Sequence, residues 1–254
     1  MTIFSTEEQL EQIAKYLRAY ARIPHFQDDT VPGSIMEKII ALVRGGIQLP
    51  TYDYVDVCIR GNVGWQVKST KNSTPLTWKR AKVPNAPSLI KASRAGRAEA
   101  KVLGDAIIDF CNRHAAHSLA RYDLKEIGYS RLIMFPDGGA IYFEKSICTV
   151  AEPWVFNKDE YTWHWTAQKV SAIKEQLPSF TGTNLRTGRK SFAWHGLGEN
   201  QLHFPGEKEW WPDVTIPTAI GEMNFSADGH AIAFRLAKDK VCWDSLTSFL
   251  TEAT

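Results

Sequence analysis

Apolar positions along the chain repeat at two periods, and the switch between them marks out the elements. From Ser5 to Arg22, residues Leu10, Ile13, Ala14, Leu17 and Ala21 recur three or four apart, the spacing of one helix face. Ser5 and Glu8 predict a capping box at its start. A loop with two prolines runs from Ile23 to Gly33. Ser34 to Val43 predicts a second helix, with Ile35, Ile39, Ile40 and Val43 apolar and Gly45-Gly46 ending it. The period then drops to two. Tyr54 to Arg60 and Trp65 to Ser69 each alternate, which predicts two strands. Between them, Arg60 to Gly64 holds the Gly and Asn residues that a tight reversal with positive φ needs.

Further on, Thr70 to Ser88 is rich in Lys, Pro, Asn, Ser and Thr and predicts a loop. Ala92 to His117 predicts one or two helices, with Val102, Leu103, Ala106, Ile107 and Phe110 as the buried face. Tyr129 to Phe135 and Ala140 to Ile147 predict strands around the turn Pro136 to Gly139. From Glu152 onward the periods are weaker. Tyr161 to Thr166 is β-like, Ser179 to Phe204 suggests hairpins with polar loops, and Val241 to Leu250 suggests a closing helix. No internal repeat interrupts this order. Helix, strand, strand, helix, strand, strand over residues 34–147 predicts an α/β fold, a mixed β-sheet flanked by helices with a β-rich C-terminal elaboration. The expected division is 1–45 as N-terminal helices, 46–150 as the core, and 151–254 as a C-terminal part of the same domain.

A chain of 254 residues can bury a large core. Its 44% apolar and 23% charged content are ordinary for a globular protein. No apolar run reaches the roughly 18 residues of a membrane span, so no membrane association is expected. The start, Met1 to Ser5, lacks a basic region and an apolar stretch, so a secretory signal is not expected and a cytoplasmic location is. Cys58, Cys111, Cys148 and Cys242 form no paired motif and read as reduced thiols. With a net charge of only +2, any nucleic-acid surface must come from local clustering.

The chemistry concentrates in the first predicted hairpin. Residues two apart on a strand share a face, so Gln66 and Lys68 project together while Val67 turns to the core. The reversal brings Asp56 near both. A carboxylate, an amide oxygen and an ammonium on one surface suit metal-assisted phosphodiester hydrolysis. Asp56 is a hard-oxygen ligand for Mg²⁺, with Asp53 as its nearest rival. Lys68 is placed to stabilise developing negative charge.

This hairpin resembles the PD-(D/E)xK nuclease motif of many type II restriction endonucleases and repair nucleases. Asp56 matches the motif's Asp and Lys68 its Lys; Gln66 departs from the usual Glu, and Val55 stands at the position of the Pro. The resemblance covers about 35 residues including the preceding helix. It implies a restriction-endonuclease-like core, Mg²⁺ as cofactor, double-stranded DNA as substrate, products with 5′-phosphate and 3′-hydroxyl ends, and often a homodimer. Metal ligands would be Asp56, Gln66 and, from the helix, Glu37. With an amide at 66 the site is one charge short, which Glu37 could restore. Ser34 and Glu37 also read as a capping box, which by itself accounts for that Glu.

Basic residues follow directly behind Lys68. Lys71, Lys79, Arg80, Lys82, Lys91, Arg94 and Arg97, with Trp78 among them, face only Glu99 in charge and predict phosphate contacts. Thr181 to Lys190 carries Asn184, Arg186, Arg189 and Lys190, side chains that read bases or bind backbone; the same composition suits an ordinary polar hairpin loop. Trp154, Trp163, Trp165 and Trp194 could hold a flipped base, which would suit a modification-sensing or repair nuclease. A non-catalytic DNA-binding module is a third reading, hinted at by Gln66. His195 and His203 carry HNH-type residues at too short a spacing, and His114 and His117 lie three apart on a predicted helix.

Overall fold

The computed structural model describes residues 3–23, 30–50, 53–72, 76–170, 175–197 and 200–236. The helices are α1 (Glu7–Ala21), α2 (Gly33–Arg44), α3 (Ala86–Ala92) and α4 (Arg97–Arg121). The first strands are β1 (Ile47–Gln48), β2 (Val57–Ile59), β3 (Val63–Lys71) and β4 (Thr77–Arg80), followed by β5 (Glu126–Met134) and β6 (Gly139–Thr149). Next come β7 (Tyr161–Trp165), β8 (Lys169–Val170), β9 (Glu175–Gln176), β10 (Phe180–Asn184) and β11 (Lys190–His195). The last are β12 (Gln201–His203), β13 (Met223–Phe225) and β14 (Ala231–Arg235). The fold is mixed α/β, with one mixed and one antiparallel principal sheet and four α-helices among the described residues. It divides into two compact units, Met1–Thr74 with Leu124–Ile147 and Pro212–Thr254, and Pro75–Asp123 with Cys148–Trp211.

The first unit is built on a seven-stranded sheet in the order β1-β2-β3-β5-β6-β14-β13. β2 and β3 form the expected antiparallel hairpin, and Gly61 and Asn62 take up positive φ in its turn. β3 and β5 run parallel. Trp65 and Val67 of β3, Leu132 of β5, Tyr142 of β6 and Phe234 of β14 share one core with α1 and α2. The helices supply Leu10, Ile13 and Leu17, and Met36, Ile39 and Ile40. Gln66 and Lys68 therefore lie on the opposite face of β3, in register with Tyr129 and Arg131 of β5.

Two expected caps are corrected here. α1 is capped by Thr6 and Gln9, one residue beyond Ser5 and Glu8, with both reciprocal bonds present. Ser5 instead gives its backbone N–H and hydroxyl to the buried Glu144 carboxylate at 2.7 and 2.6 Å. Tyr142 donates to that carboxylate at 2.8 Å, and Arg44 pairs with it at 3.4 Å. α2 begins at Gly33 behind Pro32, so Ser34 is inside the helix and the Ser34–Glu37 capping box does not exist. Gly45 ends α2 in the left-handed conformation, as expected.

The second unit holds an antiparallel sheet in the order β4-β12-β11-β10-β7. Phe180, Phe192, Trp194, Trp163 and Leu202 line its inner face with Trp78, Phe156 and Phe204. α4 packs against β7 on this side. Gly104 makes that approach possible, because a Cβ there would lie 2.2 Å from Trp163. The buried stripe of α4 is Leu103, Ile107, Ile108, Cys111 and Leu119, whereas Val102, expected inside, is 56% exposed. The expected loop over Thr70 to Ser88 contains β4 and the start of α3, since the charges of Lys79 and Arg80 hide a strand. The hairpins expected in Ser179 to Phe204 are β10 to β12. β13 and β14 return to the first sheet, a placement that local periodicity could not reveal. Val241 to Leu250 and Cys242 lie outside the described residues, and Cys58, Cys111 and Cys148 are free thiols.

Candidate functional site

Asp56 sits one residue before β2, still within the hairpin ladder: its backbone N–H donates to the Trp65 carbonyl at 2.8 Å. Its carboxylate accepts the Val67 N–H at 2.8 Å. That bond holds the carboxylate at the residue between Gln66 and Lys68, as the hairpin argument expects. Gln66 is 2% exposed and Lys68 half-buried. Asp53 occupies a bend before the hairpin.

Glu37 projects from α2 toward the same place. Burial raises its pKa first, and the negative charge of Asp56 raises it further. A hydrogen bond from the Gln48 amide and the positive charge of Lys68 act the other way. Glu37, Asp56 and Lys68 are therefore one electrostatic cluster, assembled from α2, the strand entry and β3. Its structural partner is Gln48 rather than a helix cap.

Gln48 is the participant that sequence reasoning missed. β1 has only two residues, too few for a period to register, yet it pairs with β2 and carries the amide that fixes Glu37. Arg131, 2% exposed beside Lys68, was missed too, because β5 reads as an apolar strand. Its Nε donates to the Thr70 hydroxyl at 3.2 Å, and burial lowers its pKa.

The donors suit a hard cation. Two carboxylates and an amide are oxygen ligands, and the unfavourable charging of Glu37 beside Asp56 is what a divalent ion would relieve. Among the described residues no group of three His, Cys, Asp or Glu side chains is placed to hold a metal.

The expected DNA contacts scatter across the fold. Lys71 ends β3 in the first unit, while Lys79, Arg80, Lys82, Lys91, Arg94 and Arg97 belong to the second. Arg80, Lys82, Lys91 and Arg97 are exposed, and Arg94 stacks over Trp165 at 5.0 Å. Lys79 is half-buried and acts on the buried Cys111 thiol, whose pKa burial pushes up to about 12 while Lys79 opposes the rise. Asn184 is not a groove reader. It is buried, and its Oδ1 accepts the backbone N–H groups of Arg186 and Thr187, both at 3.0 Å, to build the β10–β11 turn. Arg186 pairs with Glu209 at 3.4 Å; Arg189 and Lys190 are exposed. Trp163 and Trp194 are core side chains and cannot stack on a base, whereas Trp154 is exposed. His114 and His117 face a cleft of about 320 Å³ with Phe110, Arg113 and Pro84.

No protein-family model, curated protein or solved structure matches this chain. Among the described residues no helix is long and apolar enough to cross a membrane.

Proposed function

We propose that the chain is a Mg²⁺-dependent, site-specific DNA endonuclease of the type II restriction class, with a restriction-endonuclease-like core in its first unit. One observation carries the reading: the Val67 N–H holds the Asp56 carboxylate at 2.8 Å, between Gln66 and Lys68 on the paired strand, and the Glu37 carboxylate, bonded by Gln48, feels the charges of both Asp56 and Lys68. Mg²⁺ would be held by Asp56 and Glu37, with the Gln66 amide at the floor, and supplies the charge that polarises a scissile phosphate. Lys68 orients the attacking water and balances charge on the phosphate oxygens, leaving 5′-phosphate and 3′-hydroxyl ends. The Val67 N–H and the Gln48 amide hold the two carboxylates in place. A cytoplasmic homodimer whose two-fold axis matches a palindromic site belongs to this reading.

A non-catalytic DNA-binding module is the second reading, favoured by the amide at 66 and the absence of a third carboxylate among the described residues. The modification-sensing reading loses Trp163 and Trp194, which are core. Incubation with unmethylated and methylated plasmid in Mg²⁺ separates the three. Discrete fragments from unmethylated DNA support restriction, and fragments from methylated DNA alone support modification sensing. Retention of DNA without cutting supports the binding module.

A further inference from the structure

The spacing of His195 and His203 excludes an HNH arrangement, but the fold brings the two side chains together in another way. In the β11–β12 pair, His195 stands opposite Gln201 and Ala193 opposite His203. Paired residues share a face, so both histidines and Gln201 project from one side, opposite to the buried Trp194 and Leu202. The imidazoles are diagonal neighbours across the pair, with ring centroids 4.9 Å apart and planes at 68°. Two imidazole nitrogens on one ion, at about 2.0–2.1 Å and with about 90–110° at the metal, set the ring centroids roughly 4.5–5.2 Å apart. The observed spacing falls inside that range.

The His203 ring is also supported as a ligand histidine is supported. Its Nε2 lies 3.0 Å from the Gln201 Oε1, and Thr77 of β4 donates its hydroxyl to the same oxygen at 3.3 Å. An amide oxygen can only accept, so Nε2 carries the proton and Nδ1 is the coordinating nitrogen. A hydrogen bond from the second ring nitrogen to a carbonyl oxygen is the common means of orienting a metal-bound imidazole. Both histidines are half-buried, so water and small ions reach them. β4, β11 and β12 carry no aspartate or glutamate, and Arg80, in register with Gln201, is exposed, where solvent screens its charge. Neutral nitrogen donors without a carboxylate select a borderline-soft divalent ion over Mg²⁺.

We infer that His195 and His203 form a two-histidine site for Zn²⁺, with water completing the coordination and Gln201 as a positioning residue. The ion clips β11 to β12. Both strands belong to the second unit, and the inference does not rest on the nuclease reading.

The test is calorimetric titration of the full chain with Zn²⁺ in excess Mg²⁺, which keeps hard-oxygen ligands occupied. Wild type should bind one Zn²⁺, and His195→Ala and His203→Ala should each lose that binding. Gln201→Ala, which leaves both rings in place, should weaken it about tenfold or more, the scale of losing a group that orients a ligand. His117→Ala, which breaks up the other close histidine pair, should bind as wild type does. The metal-free Tm of His195→Ala should match wild type, while the rise in Tm with Zn²⁺ disappears. In wild type alone, Zn²⁺ should shift the imidazole NMR resonances of His195 and His203 together, a readout that needs no variant to fold. Wild type that binds no Zn²⁺, binding that survives both histidine substitutions, or binding that is lost with His117 instead overturns the inference. Unchanged affinity in Gln201→Ala overturns the positioning role.

Discussion

The Asp56 carboxylate accepts the backbone N–H of Val67 at 2.8 Å, across the hairpin and between the two side chains it is proposed to work with. One bond thereby couples the strand entry to β3. It also separates what Asp56 does for the fold from what it does for chemistry.

Asp56→Asn keeps an oxygen for the Val67 N–H and removes the charge; Asp56→Ala removes both. Both variants should lose cleavage by about 100-fold or more, as for other groups whose loss leaves only residual rate enhancement. Only the alanine variant should lose stability, by about 1–3 kcal/mol for an N–H left without its acceptor. Urea unfolding beside plasmid assays checks both halves. Equal stability of the two variants would detach Val67 from the argument.

Glu37→Gln should abolish cutting without destabilising the fold. The folded chain raises the Glu37 pKa, so folding favours the protonated form. Its contribution to stability is full below the unfolded pKa of about 4.3 and declines as pH rises through the folded value. Glutamine does not titrate, so the variant's stability relative to wild type should improve from pH 4 to pH 7, a window taken from that reference value and the upward shift. Mg²⁺ should raise the Tm of wild type more than that of the variant. Melting curves at both pH values, with and without Mg²⁺, decide it; a Tm response to Mg²⁺ equal to wild type would remove Glu37 from the ligand set.

Lys68→Ala should cut about 100-fold more slowly, the scale of losing one stabilising donor at a developing charge. Mg²⁺ affinity should be retained, because the lysine adds positive charge beside the ligands. Calorimetric Mg²⁺ titration paired with cleavage rates distinguishes this from misfolding, which would weaken both.

Arg44→Met should destabilise the first unit by about 3–5 kcal/mol, since it strands the buried Glu144 without its ion pair. Changing Glu144→Gln should cost less, because the amide can still accept from Ser5 and Tyr142. Chemical denaturation of the two variants gives the order; the reverse order would mean that the hydrogen bonds, not the charge pair, hold the cluster.

The hairpin was legible because its information is local. Alternation fixed the faces of Gln66 and Val67, and Gly61 with Asn62 fixed the turn. Glu37 was legible only as a choice between cap and ligand, and the helix start at Gly33 removes the cap. Gln48 was not, because a two-residue strand has no period. The division into units was equally hidden, since the β13–β14 hairpin reaches the first sheet by pairing β14 with β6 across a long stretch of sequence. Asn184 misled because its type suits DNA, while the β10–β11 turn's need for an acceptor buries it.

Plasmid cleavage in Mg²⁺ with analysis of the cut ends, run for the wild-type chain beside Glu37→Gln and Lys68→Ala, tests the central claim most directly. The charge cluster predicts linear fragments bearing 5′-phosphates from wild type and intact plasmid from both variants. Wild type that leaves plasmid intact, or cutting that survives both substitutions, would contradict it.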